Sequence, residues 1–589
     1  MNLNVRNLDY SVAVFGQVDN LSDVKDKLYP ARERHPGAKK SSVGETLSLA
    51  CSAWGIDRTL DFLRGPFALV IRDRLRGTVT LARDRFGEQP FYYGFVDGEL
   101  ACGTHPADLF VDSQHTPELD MDVLPAFLEF GQVPVGECLL SRVHKLPPGG
   151  LVEYSAFDLS QGRHPEPRLW WSAYLDVESA RAKAPYGELA SAVYRCTDRV
   201  ALSVDAYLRG TGPCGVLLDD GVPSSLIAAY MQRDSLLPVP SFSLELESGS
   251  RSTRPGLGRV TANHLGTRHT TFSFSDTAVC DWIAGGLADD GIMAPEPCGR
   301  PELLPARLLR QYAAREVPRL LAGEGAAALF GGRPDHVRLP RIWQRISGMS
   351  LSARRLISQT LALWPSRGPA GLAASSFREF CGARRAVNPA IRPFLSPDID
   401  SLPRSQLPRG LSELTDQEWL LLSDLIGNLP GELDSLSVMK TEQSAPLVRY
   451  PFLDPRILYL AWRIPASVRM RDGEPAWPLK EALFWEVPRA AVEGCGEAAR
   501  VDIGRLLLGS LRDWAEELLS PGSLADVPAL EPGAVRRLWK NHLRRNGNYS
   551  QALWPMLQLI AWQRNLKQLQ RARFSAGCLT IGDEVRMYE

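Results

Sequence analysis

Two adjacent carboxylates, Asp219 and Asp220, lie between a short apolar strand, Gly215-Val-Leu-Leu, and a helix start that reads Gly221-Val-Pro-Ser-Ser. Hydroxyls and backbone N–H groups at a helix start suit an anion, whereas paired carboxylates suit a metal ion. The pattern therefore allows a rearranged metal site, or a cap in which Asp219 or Asp220 binds the helix that begins near Pro223. The cap is favoured, because no second cluster of oxygen ligands is evident nearby.

No other residues form a recognisable catalytic pattern. The histidines at 105, 144, 264, 269 and 336 show no HExxH motif or paired metal spacing, and we expect surface or hydrogen-bonded core positions for them. The chain has no GxSxG elbow and no Walker A loop. Its 10 Cys are scattered without a CxxC pair, which predicts neither a zinc site nor a disulfide framework. No metal site is therefore predicted.

The elements around the carboxylates predict a parallel α/β sheet. Leu189, Val193, Cys196, Val200, Val204 and Tyr207 recur at helical spacing and form one apolar face. Helix, strand, loop and helix then follow each other, an order that places a binding crevice at the carboxyl end of the strand. Residues up to about 160 are instead typical of short strands, and residues from about 341 to 438 are mostly helical.

Composition excludes several classes of protein. The 589 residues include 67 Lys+Arg and 68 Asp+Glu, a formal net charge of -1 that offers no basic field for nucleic acid or polybasic patch for a membrane. No run of 18 apolar residues occurs, and the first residues lack a signal-peptide core. We therefore expect no nucleic-acid partner, no membrane association and a cytoplasmic location.

Five segments resemble the asparagine synthetase family, in the same order along the chain. They are Ala82-Arg-Asp-Arg-Phe-Gly-Glu-Gln-Pro-Phe-Tyr-Tyr-Gly, Phe130-Gly-Gln-Val-Pro with Lys145-Leu-Pro-Pro-Gly, Val216-Leu-Leu-Asp-Asp-Gly-Val-Pro-Ser-Ser-Leu-Ile, Gly323-Glu-Gly-Ala-Ala-Ala-Leu-Phe-Gly-Gly, and Arg449-Tyr-Pro-Phe-Leu-Asp. The family includes glutamine-dependent asparagine synthetases, β-lactam synthetases and the macrolactam cyclases of lasso peptides. The chain is identified as a degenerate member.

The resemblance implies a fold and a domain division. We expect a truncated Ntn-amidohydrolase-like αββα domain over residues 1–165, which is α+β and lacks the nucleophile. A linker over 166–185 is expected next. An α/β ATP-pyrophosphatase-like synthetase domain is then expected over 186–589, mostly helical after about 340.

The resemblance also implies that the first domain does not hydrolyse glutamine. Phe15-Gly-Gln-Val-Asp-Asn corresponds to the NGEIYN motif of the family but begins close to the start of the sequence. Asn2 cannot act as a thiolate nucleophile. Val43 replaces the aspartate of the family's DTE pattern.

The pyrophosphate loop of the family usually reads VLLSGGLDSSLI. Here Asp219 and Asp220 replace its serine and first glycine, and Pro223 replaces the aspartate that helps to hold magnesium. Two carboxylates at ~4 Å from a phosphate would each cost roughly 4 kcal/mol at an effective dielectric of ~20. What remains for nucleotide binding is Gly221 and the pair Ser224-Ser225 at the helix start.

The second family loop, GEGxDELFGG, carries an aspartate and a glutamate that are replaced here by Ala327 and Ala328. In the family the aspartate serves the metal and pyrophosphate. Glu324 remains and is assigned to the nucleotide-binding remnant, although a structural role is favoured for it. The retained glycines predict that this turn is kept for folding.

Two further family positions have lost their functional groups. Leu447 stands at the glutamate of the EVR motif, and leucine cannot orient or deprotonate an amine. Ala476 stands at the lysine that neutralises charge during adenylation and amide formation. Lys480, one helical turn later, is a possible substitute for that lysine.

These replacements predict a catalytically inactive pseudoenzyme. It would act as a scaffold or binding subunit in a hetero-oligomer, with an active paralogous synthetase or cyclase, or a precursor peptide, as partner. The alternative is an active ATP-dependent carbon–nitrogen ligase, such as a lasso-type cyclase or amidotransferase, that uses ATP and Mg²⁺ and releases AMP and pyrophosphate. A third possibility is a non-functional relic that still folds.

Overall fold

The computed structural model describes residues 9–29, 41–110, 113, 115–186, 189–209, 212–247, 255–285, 295–362, 371–385, 414–437, 447–493, 495, 499–572, 578–581 and 585–587. Asn2 lies outside these residues, as does Gly210, at which the sequence predicts the end of a helix. None of the described helices is both long enough and apolar enough to cross a bilayer.

The strands are β1 Tyr10–Gly16, β2 Phe67–Asp73, β3 Thr78–Arg83, β4 Tyr92–Val96, β5 Glu99–Gly103, β6 His144–Lys145, β7 Gly150–Tyr154, β8 Arg168–Leu169, β9 Cys214–Leu217, β10 Pro240–Leu246, β11 Arg268–Phe274, β12 Arg319–Leu321, β13 Leu447–Arg449, β14 Cys578–Ile581 and β15 Val585–Met587. The helices are α1 Leu21–Leu28, α2 Val43–Trp54, α3 Ile56–Phe62, α4 Leu124–Phe130, α5 Ala156–Gln161, α6 Ala173–Arg181, α7 Leu189–Leu208, α8 Val222–Arg233, α9 Leu257–Leu265, α10 Asp276–Ala284, α11 Leu304–Glu316, α12 Ala326–Phe330, α13 Pro334–Ser347, α14 Leu351–Ala362, α15 Phe377–Arg385, α16 Asp416–Ser423, α17 Leu429–Leu436, α18 Pro455–Trp462, α19 Ala466–Arg469, α20 Trp477–Glu486, α21 Arg489–Glu493, α22 Ile503–Leu508, α23 Arg512–Leu518, α24 Pro521–Ala525, α25 Pro532–Leu543 and α26 Ser550–Ala572.

The chain divides into two compact units. The first contains residues 1–120, 135–173 and 566–589, and the second contains 121–134 and 174–565. Two segments therefore lie in a different unit from the one that the sequence predicts. Residues 566–589 belong to the first unit because β14 pairs with β5, whereas α4, a buried helix, belongs to the second unit.

The first unit is built on two five-stranded sheets, with the orders β1-β2-β3-β7-β8 and β15-β14-β5-β4-β6. An apolar core that includes Val70 and Leu81 of the first sheet and Tyr93 and Cys102 of the second fills the space between them. A second core joins the first sheet to α1, α2 and α3. The predicted α+β class of this part of the chain is confirmed.

Residues 166–185, which the sequence predicts as a linker, contain β8 and α6. Trp170 anchors the segment: its indole N–H donates to the carbonyl of Arg83 at 3.0 Å, and its ring stacks on Phe67. Trp171 packs edge-on against Phe86 with ring centroids 5.0 Å apart. Both tryptophans therefore pack within the first unit.

The second unit is built on a sheet of order β11-β10-β9-β12-β13 in which every pairing is parallel. The predicted apolar face of α7 is confirmed at Val193, Cys196, Val200 and Val204, which are all buried. The helices α7, α8 and α20 pack against one another. The predicted α/β architecture of this unit is therefore confirmed.

The residues after about 340 are largely helical, as the sequence predicts. A smaller apolar core that includes Leu339, Phe377, Phe380 and Trp419 joins α13, α15 and α16. One π-helical turn, Asp424–Asn428, connects α16 to α17.

Candidate functional site

The loops that follow β9 and β12 meet at one edge of the parallel sheet. The two strands are direct neighbours in register, with Val216 opposite Leu321, so their carboxyl ends open on the same side. The loops also touch: a Cβ at Gly323 would lie 3.0 Å from both Cβ of Pro223 and the backbone nitrogen of Ser224. The structure thus brings the two family loops together.

Asp220 lies with its carboxylate against the first residues of α9 and accepts a hydrogen bond there. Its φ of 62° is in the left-handed region, and its Oδ1 accepts the N–H of Gly258 at 2.8 Å. A Cβ at Gly256 would lie 2.5 Å from Oδ2, so only glycine allows the carboxylate to rest there. Burial raises the pKa of Asp220 to about 6, and the charges of Asp219 and Glu245 add to this effect.

Asp219 accepts hydrogen bonds from two residues near the start of α8, an arrangement that the sequence did not predict. Its Oδ1 accepts the N–H of Gly221 at 3.1 Å and also accepts the hydroxyl of Ser224. Gly221 is the N-cap of α8 and no side chain caps the helix. The predicted cap is therefore wrong, because the left-handed turn at Asp220 directs the Asp219 carboxylate to the N–H of the cap residue itself.

The donors that survive in the first loop are already engaged. Ser224 hydrogen-bonds Asp219 and also donates to the carbonyl of Gly221 at 3.0 Å. Ser225 accepts the hydroxyl of Thr261 at 3.2 Å, and both serines are fully buried. The hydroxyls of the predicted nucleotide-binding remnant thus bind protein groups.

The second loop contains a short helix rather than an open loop. The five residues of α12 read Ala-Ala-Ala-Leu-Phe and carry no polar side chain. Ala328 is 3% exposed, and Ala326, Leu329 and Phe330 are buried beside it. The positions that carry a carboxylate pair in the family therefore present only methyl groups.

Glu324 belongs to a buried ion pair. It accepts from the guanidinium of Arg310, which is 1% exposed, and Arg310 also donates to the hydroxyl of Tyr450 at 2.8 Å. Burial acts to lower the pKa of Arg310, but its two partners outweigh burial and the pKa is raised. Glu324 therefore serves to compensate a buried charge.

The remaining two family positions lie on β13 and at the start of α20. The backbone of Leu447 pairs with Arg319 in the parallel sheet. Ala476 is the N-cap of α20, with a φ of 51° and no side-chain cap, and it is buried. Lys480 forms an ion pair with Glu474, so in this structure it does not act as a free cation for the crevice.

The donor set at this edge does not fit Mg²⁺ and ATP. The carboxylates of Asp219, Asp220 and Glu245 lie near this edge, and their negative charge opposes a phosphate. The nearby cation Arg259 is paired with Glu245 at 3.0 Å. Within the described ranges, no three His, Cys, Asp or Glu side chains are grouped closely enough to hold a metal ion.

The family-like segments of the first unit lie in its first sheet, at the start of α2 and in the turn after β3. Phe15 pairs with Ala68 in the first sheet, and Val43 is the exposed first residue of α2. The buried Asp84 accepts three backbone N–H groups from Phe86, Glu88 and Gln89. This network holds the turn that follows β3 within the Ala82–Gly94 signature.

Three cysteines of the first unit are too buried to act as good nucleophiles. Cys51, Cys102 and Cys138 are buried. Burial raises the pKa of Cys51 to about 12, so its thiol stays protonated at neutral pH. These residues offer no substitute for an amidohydrolase nucleophile.

Sequence reasoning missed a histidine pair in the first unit. The rings of His144 and His164 lie with centroids 4.5 Å apart, and the Tyr154 hydroxyl is 2.8 Å from Nδ1 of His164. Burial, followed by the proximity of His144, lowers the pKa of His164 to about 4. No local spacing signals this cluster, because its members come from different strands and a loop.

His336 lies in a second buried cluster that sequence spacing did not reveal. Its Nε2 is 2.6 Å from Asp424, which also pairs with Arg333 at 3.2 Å and Arg385 at 2.8 Å. Burial acts to raise the pKa of Asp424, but the two guanidiniums outweigh it and the pKa is lowered. The expectation of a hydrogen-bonded core histidine is confirmed at His336.

Comparison with known proteins matches both parts of the chain. Residues 195–564 match the family model described as asparagine synthase, and residues 3–165 match the glutamine amidotransferase domain model. A glutamine-hydrolyzing asparagine synthetase homologue of Mycobacterium tuberculosis is 25% identical over 584 residues, covering 94% of this chain and 84% of that protein.

More distant relatives include proteins with different names. Asparagine synthetase (glutamine-hydrolyzing) 1 of Bacillus subtilis is 22% identical over 517 residues, covering 85% of this chain and 77% of that protein. Amidase chyE of Penicillium rubens is 23% identical over 338 residues, covering 50% of this chain and 46% of that protein.

Proposed function

Since this chain belongs to the asparagine synthase family, we propose that it is a catalytically inactive member that acts by binding. It would serve as a scaffold or binding subunit for an active ATP-dependent amide-bond-forming enzyme. The observation that carries the proposal is the hydrogen bond from Ser224 to Asp219. The hydroxyl of Ser224 stands at a phosphate-binding position of the family loop, and here it binds a carboxylate.

Electrostatics support the absence of ATP chemistry. A triphosphate in the crevice would approach Asp219 and Asp220, and at ~4 Å each carboxylate opposes a phosphate charge by roughly 4 kcal/mol. Pro223 has no N–H to donate, and its side chain has no oxygen to bind a metal ion. Nothing in α12 offsets these losses, since Ala327 and Ala328 carry no charge.

The partner that we propose is an active paralogous synthetase or cyclase, or a precursor peptide held for it. The support is that apolar and glycine positions of the family motifs persist while phosphate-facing and catalytic positions are replaced. We propose a cytoplasmic location, because the 10 cysteines are scattered along the sequence without the spacing of a disulfide framework, as is usual for proteins of reducing compartments.

One observation favours a second candidate, an active enzyme with relocated groups. The pKa of Asp220 is raised to about 6, which suits a carboxyl group for proton transfer near neutral pH. Such an enzyme would be an ATP-dependent carbon–nitrogen ligase that releases AMP and pyrophosphate. A lasso-type cyclase or an amidotransferase would fit this class.

Calorimetric titration separates the two candidates. The full chain is titrated with Mg-ATP and with a non-hydrolysable analogue up to millimolar concentration, at two temperatures. An active asparagine synthetase measured in the same buffer is the positive control. We expect no detectable heat from this chain.

Micromolar binding that disappears in Asp219→Ala or Asp220→Ala would contradict the proposal and support the second candidate. If no nucleotide binds, mixing the chain with the active paralogue and measuring the mass of the complex tests the partner. Separate elution of both proteins at micromolar concentration would count against an active-paralogue partner.

A further inference from the structure

The second sheet of the first unit is extended by residues from the far end of the sequence. The tail hairpin, defined as β14 and β15, pairs antiparallel with β5 in the register Cys578–Gly103, Leu579–Cys102, Thr580–Ala101 and Ile581–Leu100. The hairpin closes on itself through pairs such as Thr580–Arg586. An edge of β5 is thus covered by residues about as distant in sequence as the chain allows.

The strand β5 has other partners besides the tail hairpin. On its other side β5 pairs with β4 in five positions, from Tyr92–Gly103 to Val96–Glu99. Leu100 and Cys102 also belong to the core between the two sheets. The strand β5 is therefore also held by β4 and by the core, independently of its pairing with the tail hairpin.

The tail hairpin is held differently. Within the described residues its strands pair only with each other and with β5, and β15 lies at the end of the strand order. A two-stranded hairpin is at most marginally stable alone in water. Its backbone partners outside the hairpin are therefore those of β5, whereas β5 also has those of β4.

An uncovered β5 would present a row of free N–H and C=O groups, which is the usual template for the addition of a strand. We propose that the edge of β5 is a strand-docking site and that its occupant is the tail hairpin of the same chain. The hairpin is an intramolecular ligand, and its release opens the edge to an extended segment of the same backbone chemistry.

Peptide binding tests this proposal with the full chain. A fluorescent peptide of residues 574–589, with Cys578→Ser to prevent disulfides, is titrated into the wild type and into Leu579→Pro/Thr580→Pro. Adjacent residues of a strand point their N–H groups to opposite sides, so at least one proline removes a hydrogen bond to β5. The variant keeps every residue of the sheet except these two.

We expect the variant to bind the peptide at least about tenfold more tightly than the wild type, in which the edge is occupied. A peptide that carries the same two prolines is the matched control and should not bind the variant. Equal binding to both chains would place the peptide elsewhere and overturn the proposal, as would no binding by a folded variant.

If the double-proline variant does not fold, hydrogen exchange of the wild type decides. We expect the amides of 578–581 to exchange faster than those of β4, because a docked hairpin opens without the rest of the unit. Equal protection of these two segments would show that the hairpin is an integral strand, and would refute its assignment as a ligand.

Discussion

Replacing Asp220 by asparagine tests which force dominates at the meeting point of β9 and α9. Asp220→Asn keeps an oxygen that accepts the N–H of Gly258 but removes the charge. The start of α9 favours a negative charge by about 1 kcal/mol. Burial and the neighbouring Asp219 and Glu245 oppose it, whereas Arg259 favours it, and the net effect raises the pKa to about 6.

The size of the effect follows from that pKa. A carboxyl group whose pKa rises from 3.8 to about 6 disfavours the folded state by about 3 kcal/mol once it is ionised in both states. Partial solvent access reduces this to about 2 kcal/mol. Because the folded pKa is raised, the stability that Asp220 contributes is full below pH ~4 and is lost as the pH rises through ~6.

Urea unfolding at pH 4 and pH 8 measures the difference. We expect Asp220→Asn to be more stable than the wild type by about 2 kcal/mol at pH 8, with the gain vanishing at pH 4. Asp198→Asn, at an exposed position of α7, is the control for charge removal. If Asp220→Asn is less stable than the wild type at pH 8, the N–H groups of α9 stabilise the charge more than burial penalises it, and the reasoning fails.

Two further predictions concern buried charges. Glu324→Ala leaves the buried Arg310 guanidinium with the Tyr450 hydroxyl as its hydrogen-bond partner, so we expect the free energy of unfolding in urea to fall by about 3 kcal/mol. Glu302→Ala, at an exposed position, is the control and should change little. An unchanged unfolding midpoint for Glu324→Ala would refute the structural role of Glu324. The pKa of His164 is lowered to about 4, so the stability that His164 contributes is lost as the pH falls from 6.5 to 4. Over this range we expect the free energy of unfolding of the wild type to fall by about 1–2 kcal/mol more than that of His164→Phe. Parallel pH profiles of stability for the two proteins would contradict this prediction.

The sequence predicts the elements of the crevice because their signals are local. The spacing of Val193, Cys196, Val200 and Val204 defines the buried face of α7, and the apolar run before Asp219 defines β9. Helices and parallel strands are set by short-range periodicity, and their order then fixes the sheet. The α/β class of the second unit therefore follows from local patterns in the sequence.

The contacts that decide the site are not local and could not be predicted. Asp220 rests against Gly256 and Gly258, which follow about one helix and one strand later. The pairing of Leu579 with Cys102 joins opposite ends of the chain. The segment before α6 is held to the first sheet by the hydrogen bond from the Trp170 indole to the Arg83 carbonyl. In each case tertiary contacts decided what local composition could not.

The survival of the family glycines is the feature that most suggests activity, and packing accounts for it. Gly325 has a φ of 88°, in the left-handed region that favours glycine, and a Cβ there would lie 2.3 Å from the end of the Leu453 side chain. Ala327 and Ala328, two and three residues later, face no such constraint and have lost their carboxylates. Selection on folding alone would keep the glycines and release the carboxylates, so the retained glycines are evidence for the fold and are not by themselves evidence for a reaction.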